Sequence, residues 1–351
     1  MQLPPALRQA IEQELSGCDG AGLRTALRAA SARLTECYHQ SGASAGPSAS
    51  AALSNDEQRA AYLAVRVPAT FAAAVAAITW TRESWTRESC SGDLRTVLDL
   101  GSGPGTALWA ALQVFPTLIS ATAIERDPRL IEIARRLSAS APYPALRQAA
   151  WLQGDLTATI PTASTPDAAW DLVVCSYTLN ELREAQRSEF IRQAWARSGK
   201  LLVVIEPGTK AGFANILDVR TRLLAEGATL VAPCPNALAC PMAGGGDWCH
   251  FAARVERTAE HRRLKNATLG HEDEKFCYVA FSRSPSRSPA RSPAEGEVES
   301  PGARIVRHPK IFSGYTQLTL CREGEIAATT ITRSKKEDWR RLKRLGWGDR
   351  W

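Results

Sequence analysis

The feature that most restricts what this chain can become is Val97-Leu98-Asp99-Leu100-Gly101-Ser102-Gly103-Pro104-Gly105-Thr106, an apolar run that feeds a glycine-rich turn and then a helical stretch over 107–115. Glycines at such a turn permit a tight reversal and let a ligand approach the backbone. A lone Gly-x-Gly is a weak signal, but its surroundings sharpen it. Asp99 closes the strand, while Pro104 and Thr106 depart from the dinucleotide-binding pattern. Glu125 ends the next apolar run, placed to accept both ribose hydroxyls of a nucleoside, and Asp155 in Gly154-Asp155-Leu156 is placed to meet an adenine amino group. Runs at 96–100, 119–125, 170–177, 200–207 and 275–281 alternate with helical stretches. Such continuous apolar runs predict a parallel sheet covered on both faces by crossover helices, an α/β fold of Rossmann-like type.

Length and composition bound the rest. At roughly 150 residues per domain, 351 residues predict about two domains. With 44% hydrophobic and 23% charged residues the chain is too apolar for wholesale disorder. Residues 1–50 read as a helical region ending in a Ser/Ala/Gly linker, and 51–91 as a helical lead-in, with Pro68 opening or kinking a helix. The sheet domain occupies 92–281. Residues 282–303, rich in Ser, Arg and Pro, read as a disordered linker. Residues 304–351 form a small module with β-rich runs and a basic helix. No run reaches the ~18 apolar residues of a membrane span, and the first twenty residues lack an apolar signal core while carrying early acids. A monomeric, cytosolic protein with no membrane partner is the expectation.

In a reducing compartment, nine cysteines suggest metal ligands, buried thiols or catalysis rather than disulfides. Cys234-Pro235, Cys240-Pro241 and Cys249-His250 fall within a short insert, and Cys277 follows in the last predicted strand of the sheet domain. Four thiolates can enclose a tetrahedral ion or a cubane. The spacings exceed those of paired zinc knuckles and suit a larger object, so a [4Fe–4S] cluster, zinc and no metal stand as readings, in that order. His250 is a substitute ligand if the metal is zinc. Cys18, Cys37, Cys90, Cys175 and Cys321 read as ordinary thiols.

The strand–DxGxGxG–helix–strand–Glu pattern resembles the class I S-adenosylmethionine-dependent methyltransferases over about 95–282. A nicotinamide-binding unit and a ligand-free turn are the rival readings. The resemblance implies a cofactor pocket built on Asp99, Gly101, Ser102, Gly103, Gly105, Glu125, Asp155 and Ser176. No Pro-Pro step follows Ser176, unlike amino-directed nucleic-acid methylases, and no catalytic residue is assigned. More narrowly, Arg66-Val67-Pro68-Ala69-Thr70, Ser176-Tyr177-Thr178-Leu179-Asn180-Glu181-Leu182, Glu206-Pro207-Gly208-Thr209, the Cys-Pro and Cys249-His250-Phe251 runs, Lys275-Phe276-Cys277-Tyr278 and Trp347-Gly348-Asp349 resemble the methyltransferase-like proteins of small ribosomal subunit assembly, found in bacteria and mitochondria. That resemblance implies a cluster on Cys234, Cys240, Cys249 and Cys277 and association with the small subunit and its RNA. It is compatible with a methyltransferase or with a non-catalytic assembly factor; a protein or small-molecule methyltransferase is a third reading. The setting expected from it is the bacterial cytosol.

Charge supports an RNA partner. From Arg304 to Trp351 there are twelve Lys and Arg against five Asp and Glu, which accounts for the whole net charge of +7. A basic stretch so concentrated is the footprint of a polyanion. Trp339, Trp347 and Trp351 would either stack on bases or pack a small core.

Overall fold

The apolar runs become neighbouring strands of one sheet in the computed structural model of the protein. It describes residues 1–16, 55–88, 93–158, 169–258, 268–283 and 302–351, with positions 29, 53, 160, 261 and 262. The predicted linker at 41–50, residues 284–301 of the linker predicted at 282–303, the helical stretch beyond residue 16, and Cys18, Cys37 and Cys90 lie outside the described residues. At the ends of that second linker, Ser282 closes a strand and Ala303 is buried in a core, because each continues the pairing and packing of its neighbour.

Strands β1 (Thr96–Leu100), β2 (Ser120–Glu125), β3 (Ala150–Gln153), β4 (Trp170–Ser176) and β5 (Ser198–Pro207) run parallel in the order β3-β2-β1-β4-β5. The sheet then departs from the parallel expectation. The long strand β8 (His271–Ser282) lies antiparallel beside β5, and β6 (Thr229–Ala232) and β7 (Phe251–Glu256) pair antiparallel with its two halves. An apolar run does not encode strand direction; the return path of the chain does. This order, with one antiparallel strand inserted next to the last parallel edge, is the class I methyltransferase-type Rossmann-like sheet. Its central strands are buried along nearly their whole length, as double-sided coverage requires.

One face is covered by a long helical segment. Asn55 caps α1 (Asp56–Ala61) by accepting from the Gln58 amide, a π turn follows at Tyr62–Arg66, and the helix Val67–Glu88 continues from it. Pro68 cannot donate a backbone hydrogen bond, and the wider turn immediately before it absorbs that loss. Segment 56–86 is long and apolar enough to cross a membrane, but 89% of its most apolar stretch is buried inside the protein. Helix Thr106–Val114 packs beside it, and the N-terminal helix Pro5–Leu15 forks Glu14 onto Arg136 at 2.6 and 2.8 Å.

The last 48 residues make a second, antiparallel sheet in which β11 (Tyr315–Arg322) pairs with β12 (Glu325–Thr332), β10 (Lys310–Ile311) and β9 (Arg304–Ile305). A helix at Lys336–Leu342 closes its core, with Ile305, Leu318, Leu320 and Ile331 inside. This module is welded to the first sheet. The buried Arg304 donates to Pro233 O (2.8 Å), Gly348 O (2.9 Å) and Ser84 Oγ (3.4 Å). Gly348, at φ +103°, lies against the Trp80 ring so closely that a Cβ would sit 2.1 Å from it.

Candidate functional site

In an open α/β sheet the crevice lies at the carboxyl ends of the strands, where the strand order reverses. Here that point falls between β1 and β4. Gly101 follows β1, Glu125 ends β2, and Ser176 ends β4. A pocket of about 1390 Å³, part of it open to solvent, lies above them. Of the residues predicted to bind a cofactor, Gly101, Gly103, Glu125, Asp155 and Ser176 line it.

The loop is held open by its own chemistry. The Glu125 carboxylate accepts from the Gly103 amide at 2.8 Å and from the Arg126 and Asp127 amides at 2.8 and 2.9 Å. Gly101 adopts φ +77°, and a Cβ there would come within 2.7 Å of Thr178 Oγ1, which donates to Leu100 O. Asp155 keeps its carboxyl low because Oδ1 accepts from the Thr157 amide at 2.8 Å.

Three predicted residues do not line the pocket. Ser102 is buried in the turn and Gly105 packs on the Trp151 ring. Asp99 is fully buried beneath the loop, and neither of its oxygens meets a donor in hydrogen-bonding geometry. Burial pushes its carboxyl up to about 8, the Glu125 charge adds to that, and the Leu108 amide pulls weakly the other way. A strand-end carboxyl points out of the sheet face rather than along the strand, so its sequence position could not say whether it reached the ligand.

Sequence reasoning missed other walls of this pocket, among them Tyr62, Tyr177 and Thr178; Glu181, at the carboxyl edge of the sheet, lines it as well. Tyr62 arrives through the π turn. Tyr177 holds φ +60°, an uncommon conformation for a non-glycine residue that marks a constrained site. Its hydroxyl donates to Glu274 Oε1 (3.1 Å), and Arg66 forks the same carboxylate at 2.9 and 3.2 Å. Behind them, Glu206 accepts from the Leu179 amide (2.9 Å) and from Asn215 Nδ2 (3.2 Å), and Asn215 Nδ2 also donates to Asn180 Oδ1. Burial pushes Glu206 up to about 8. Asn180 therefore belongs to a buried polar network at the strand ends. Cys175 is buried in β4 with its thiol pushed far up by burial and by Asp99, which suits a core thiol and not a nucleophile.

The cysteines gather in a second pocket, at β8. Cys234, Cys240, Cys249 and Cys277 line it, and so does Cys321, which comes from β11 of the C-terminal module. The remaining lining is largely apolar, including Phe213, Ile216, Met242 and Phe251, around about 700 Å³ of empty space partly open to solvent. Burial pushes the Cys249 thiol far up, and Cys234, Cys277, Cys240 and Cys321 add to it. The Cys321 thiol is pushed up to about 12, by burial and then by Cys234 and Cys240. Burial raises Cys234 too, while Arg220 and Arg304 draw it back. Cys277 instead turns its Sγ to Cys249 O at 3.1 Å.

Among the described residues, no group of three or more His, Cys, Asp or Glu side chains is placed to hold a metal ion. The donor set is nonetheless that of a soft cationic group: several thiols gathered in one largely apolar pocket, where a positive neighbour would favour their thiolates. His250 is not among the pocket's lining. Its Nδ1 lies 3.0 Å from Trp248 O, and its ring stacks on Trp248 and meets Trp347 edge-on.

In the basic module the tryptophans are packing residues. Trp347 joins the main core, and Trp339 and Trp351 pack on the module's core beneath Arg333 and Arg341.

A family model described as mitochondrial small ribosomal subunit Rsm22 matches residues 56–351. The human mitochondrial ribosome assembly protein METTL17 is 29% identical over 163 residues, which cover 42% of this chain and 34% of that one. The mitochondrial Rsm22-cox11 tandem protein 2 of Schizosaccharomyces pombe is 29% identical over 210 residues, covering 53% of this chain and 26% of that one. The match thus spans about a third or less of these curated relatives. Among solved structures, the plantazolicin methyltransferase BpumL in complex with SAH has a TM-score of 0.40 at 10% identity and covers 79% of this chain and 99% of its own. The glycopeptide N-methyltransferase MtfA complexed with S-adenosyl-L-homocysteine has a TM-score of 0.37 at 17% identity, covering 58% and 88%. The expectation of a bacterial cytosolic protein is corrected by these findings, because the family and both curated relatives are mitochondrial by name.

Proposed function

The chain belongs to the Rsm22 family of the mitochondrial small ribosomal subunit, and from that premise we propose a methyltransferase-like assembly protein that engages such a subunit and its RNA, with S-adenosylmethionine in the glycine-loop pocket and a [4Fe–4S] cluster in the cysteine pocket. The observation that carries this is the family match over 56–351, which takes in both pockets and the basic module.

The glycine-loop residues fit the nucleoside cofactor. Glu125 stands where ribose hydroxyls would seek an acceptor, Asp155 reaches the same pocket as an ionised carboxylate, and the Gly101–Gly103 backbone admits close approach. S-adenosylmethionine bound there supplies an electrophilic methyl group on a sulfonium. Transfer by in-line displacement depends chiefly on alignment, and the walls that would align an acceptor are Tyr177, Thr178 and Glu181. Glu181 sits at the mouth, where desolvation and the Glu125 charge push its carboxyl up.

A specific observation favours the non-catalytic reading as the second one. Tyr177 fills the position after Ser176 with its hydroxyl committed to the half-buried Glu274 carboxylate that the buried Arg66 also holds. That arrangement offers an acceptor little freedom and takes the Tyr177 hydroxyl out of play as a base.

For the cluster, Cys234, Cys240 and Cys249 are the shared ligands of either set. The fourth falls to Cys321 rather than the Cys277 implied by resemblance, because Cys321 neighbours Cys234 and Cys240 while Cys277 turns to a backbone carbonyl beside Glu206.

Anaerobic purification with iron and sulfide analysis tests the cluster; about four of each per chain is the expectation, with Cys321→Ser losing metal and Cys277→Ser keeping it. One stoichiometric zinc would replace the cluster. Transfer of labelled methyl to small-subunit RNA would establish catalysis, and RNA binding without transfer would establish the assembly factor.

A further inference from the structure

The two ends of the C-terminal sheet carry opposite character. At the β11–β12 turn, Glu323 and Glu325 flank Gly324 beside the cysteine pocket. At the far end, the tight turn between β10 and β11 runs Phe312-Ser313-Gly314-Tyr315, closed by the Phe312 amide donating to Tyr315 O at 2.9 Å. Phe312 and Tyr315 stack face to face with centroids 4.7 Å apart and planes 14° apart. Both rings are exposed, at 43% and 38%, beside Ile311 at 80%. Water-facing aromatics of this kind are not needed by the module's core, which lies on Leu318, Leu320 and Ile331.

The charge nearest the turn is positive, the acids Glu337 and Asp338 entering only with the helix that follows Lys335. Lys310 begins the hairpin, and the Arg333 amide donates to Gly314 O at 3.1 Å, which brings the basic run Arg333-Ser334-Lys335-Lys336 against the same turn. No Asp or Glu occurs in 309–321 or in 326–336. Thr330 and Thr332, exposed on the paired strand, add hydroxyls.

We infer that the Phe312–Tyr315 hairpin is a binding site for single-stranded RNA, the two rings extending a stack onto an unpaired base while Lys310, Arg333, Lys335 and Lys336 hold the flanking phosphates. Aromatic faces accept any base, and cations beside them follow the backbone, which is the physics of sequence-tolerant single-strand binding. An RNA fits better than a protein partner because exposed stacked rings stand among Lys310, Arg333, Lys335 and Lys336, with no acid on the hairpin strands beside them. This inference rests on the RNA-binding reading above and moves the stacking role from the packed tryptophans to this pair.

The test uses the full chain and two labelled probes, a 12-nucleotide mixed-sequence single strand and a blunt duplex of equal length, in an anisotropy titration at several salt concentrations. Phe312→Ala and Tyr315→Ala should each weaken single-strand binding by about 5- to 150-fold, with the salt slope and the duplex affinity unchanged. Tyr315→Phe should bind as the parent does. Lys335→Ala with Lys336→Ala should lower affinity and reduce the salt slope. Parent protein that binds neither probe defeats the RNA reading itself. Parent protein that binds the single strand while both alanine variants match it overturns this site alone, as does equal weakening on the duplex. Loss of a protein partner with RNA affinity intact reassigns the pair to a protein interface and also overturns it.

Discussion

Asp99→Asn isolates one electrostatic strain built into the loop. The carboxyl is fully buried, neither oxygen meets a donor, and its proton is held up to about 8 against an ordinary 3.8. A raised carboxyl stabilises the fold, relative to its ionised form, only while it stays protonated. That contribution is complete below the unfolded value of 3.8 and is lost as pH rises toward 8. Each unit in that window is worth at most about 1.4 kcal/mol, and the whole window at most about 5–6 kcal/mol. Asparagine has nearly the same shape, cannot ionise, and leaves the same two polar atoms buried. The variant should therefore match the parent at pH 4 and gain on it steadily to about pH 8, after which the difference levels off. Urea unfolding of both proteins at each pH from 4 to 9 reads this directly, because the similarly buried Glu206 is common to both and cancels in the difference. Glu125→Gln in the parent should shrink the effect, since the Glu125 charge is the second cause of the shift. A difference that stays flat with pH, or an asparagine variant less stable than the parent at pH 8, would refute the reasoning and mean that the Asp99 carboxylate is solvated or paired.

Gly101→Ala should cost about 2–4 kcal/mol in urea unfolding, from left-handed backbone strain and displacement of the Thr178 hydroxyl from Leu100 O; Gly103→Ala should cost less, its added methyl having only the Tyr62 hydroxyl as neighbour, at 3.8 Å. Glu274→Gln should destabilise by about 3–5 kcal/mol by leaving Arg66 buried without its carboxylate, while Arg66→Leu with Glu274→Leu together should cost less, as a double-mutant cycle would show. Gly348→Ala should pry the C-terminal module from Trp80, read as faster proteolysis around residue 302 with no fall in cofactor binding.

Local pattern carried the fold because it depends on local physics. The runs around Val97, Val173 and Val203 are continuous and apolar, so they had to be strands buried on both faces, and Gly101–Gly105 had to be a turn at the ligand-bearing edge. The same locality explains Glu125 and Asp155, which end their own units and reach the pocket without help from distant chain. What the sequence could not decide was convergence. Cys321 lies 44 positions beyond Cys277 and carries no motif, yet pairing of β11 with β9 and the burial of Arg304 bring it to the cysteine pocket. Tyr62 enters the other pocket only through a π turn, and of the tryptophans in the basic stretch Trp339 and Trp351 pack on the module's own core while Trp347 crosses to the main core, a division their own segment does not encode. The direction of β8 and the exposure of Phe312 and Tyr315 are of the same kind. Periodicity and turn chemistry act over a few residues and survive in the bare sequence, whereas the meeting of thiols, rings and charges from separate segments is fixed only when the chain closes and buried area outweighs the entropy of bringing them together.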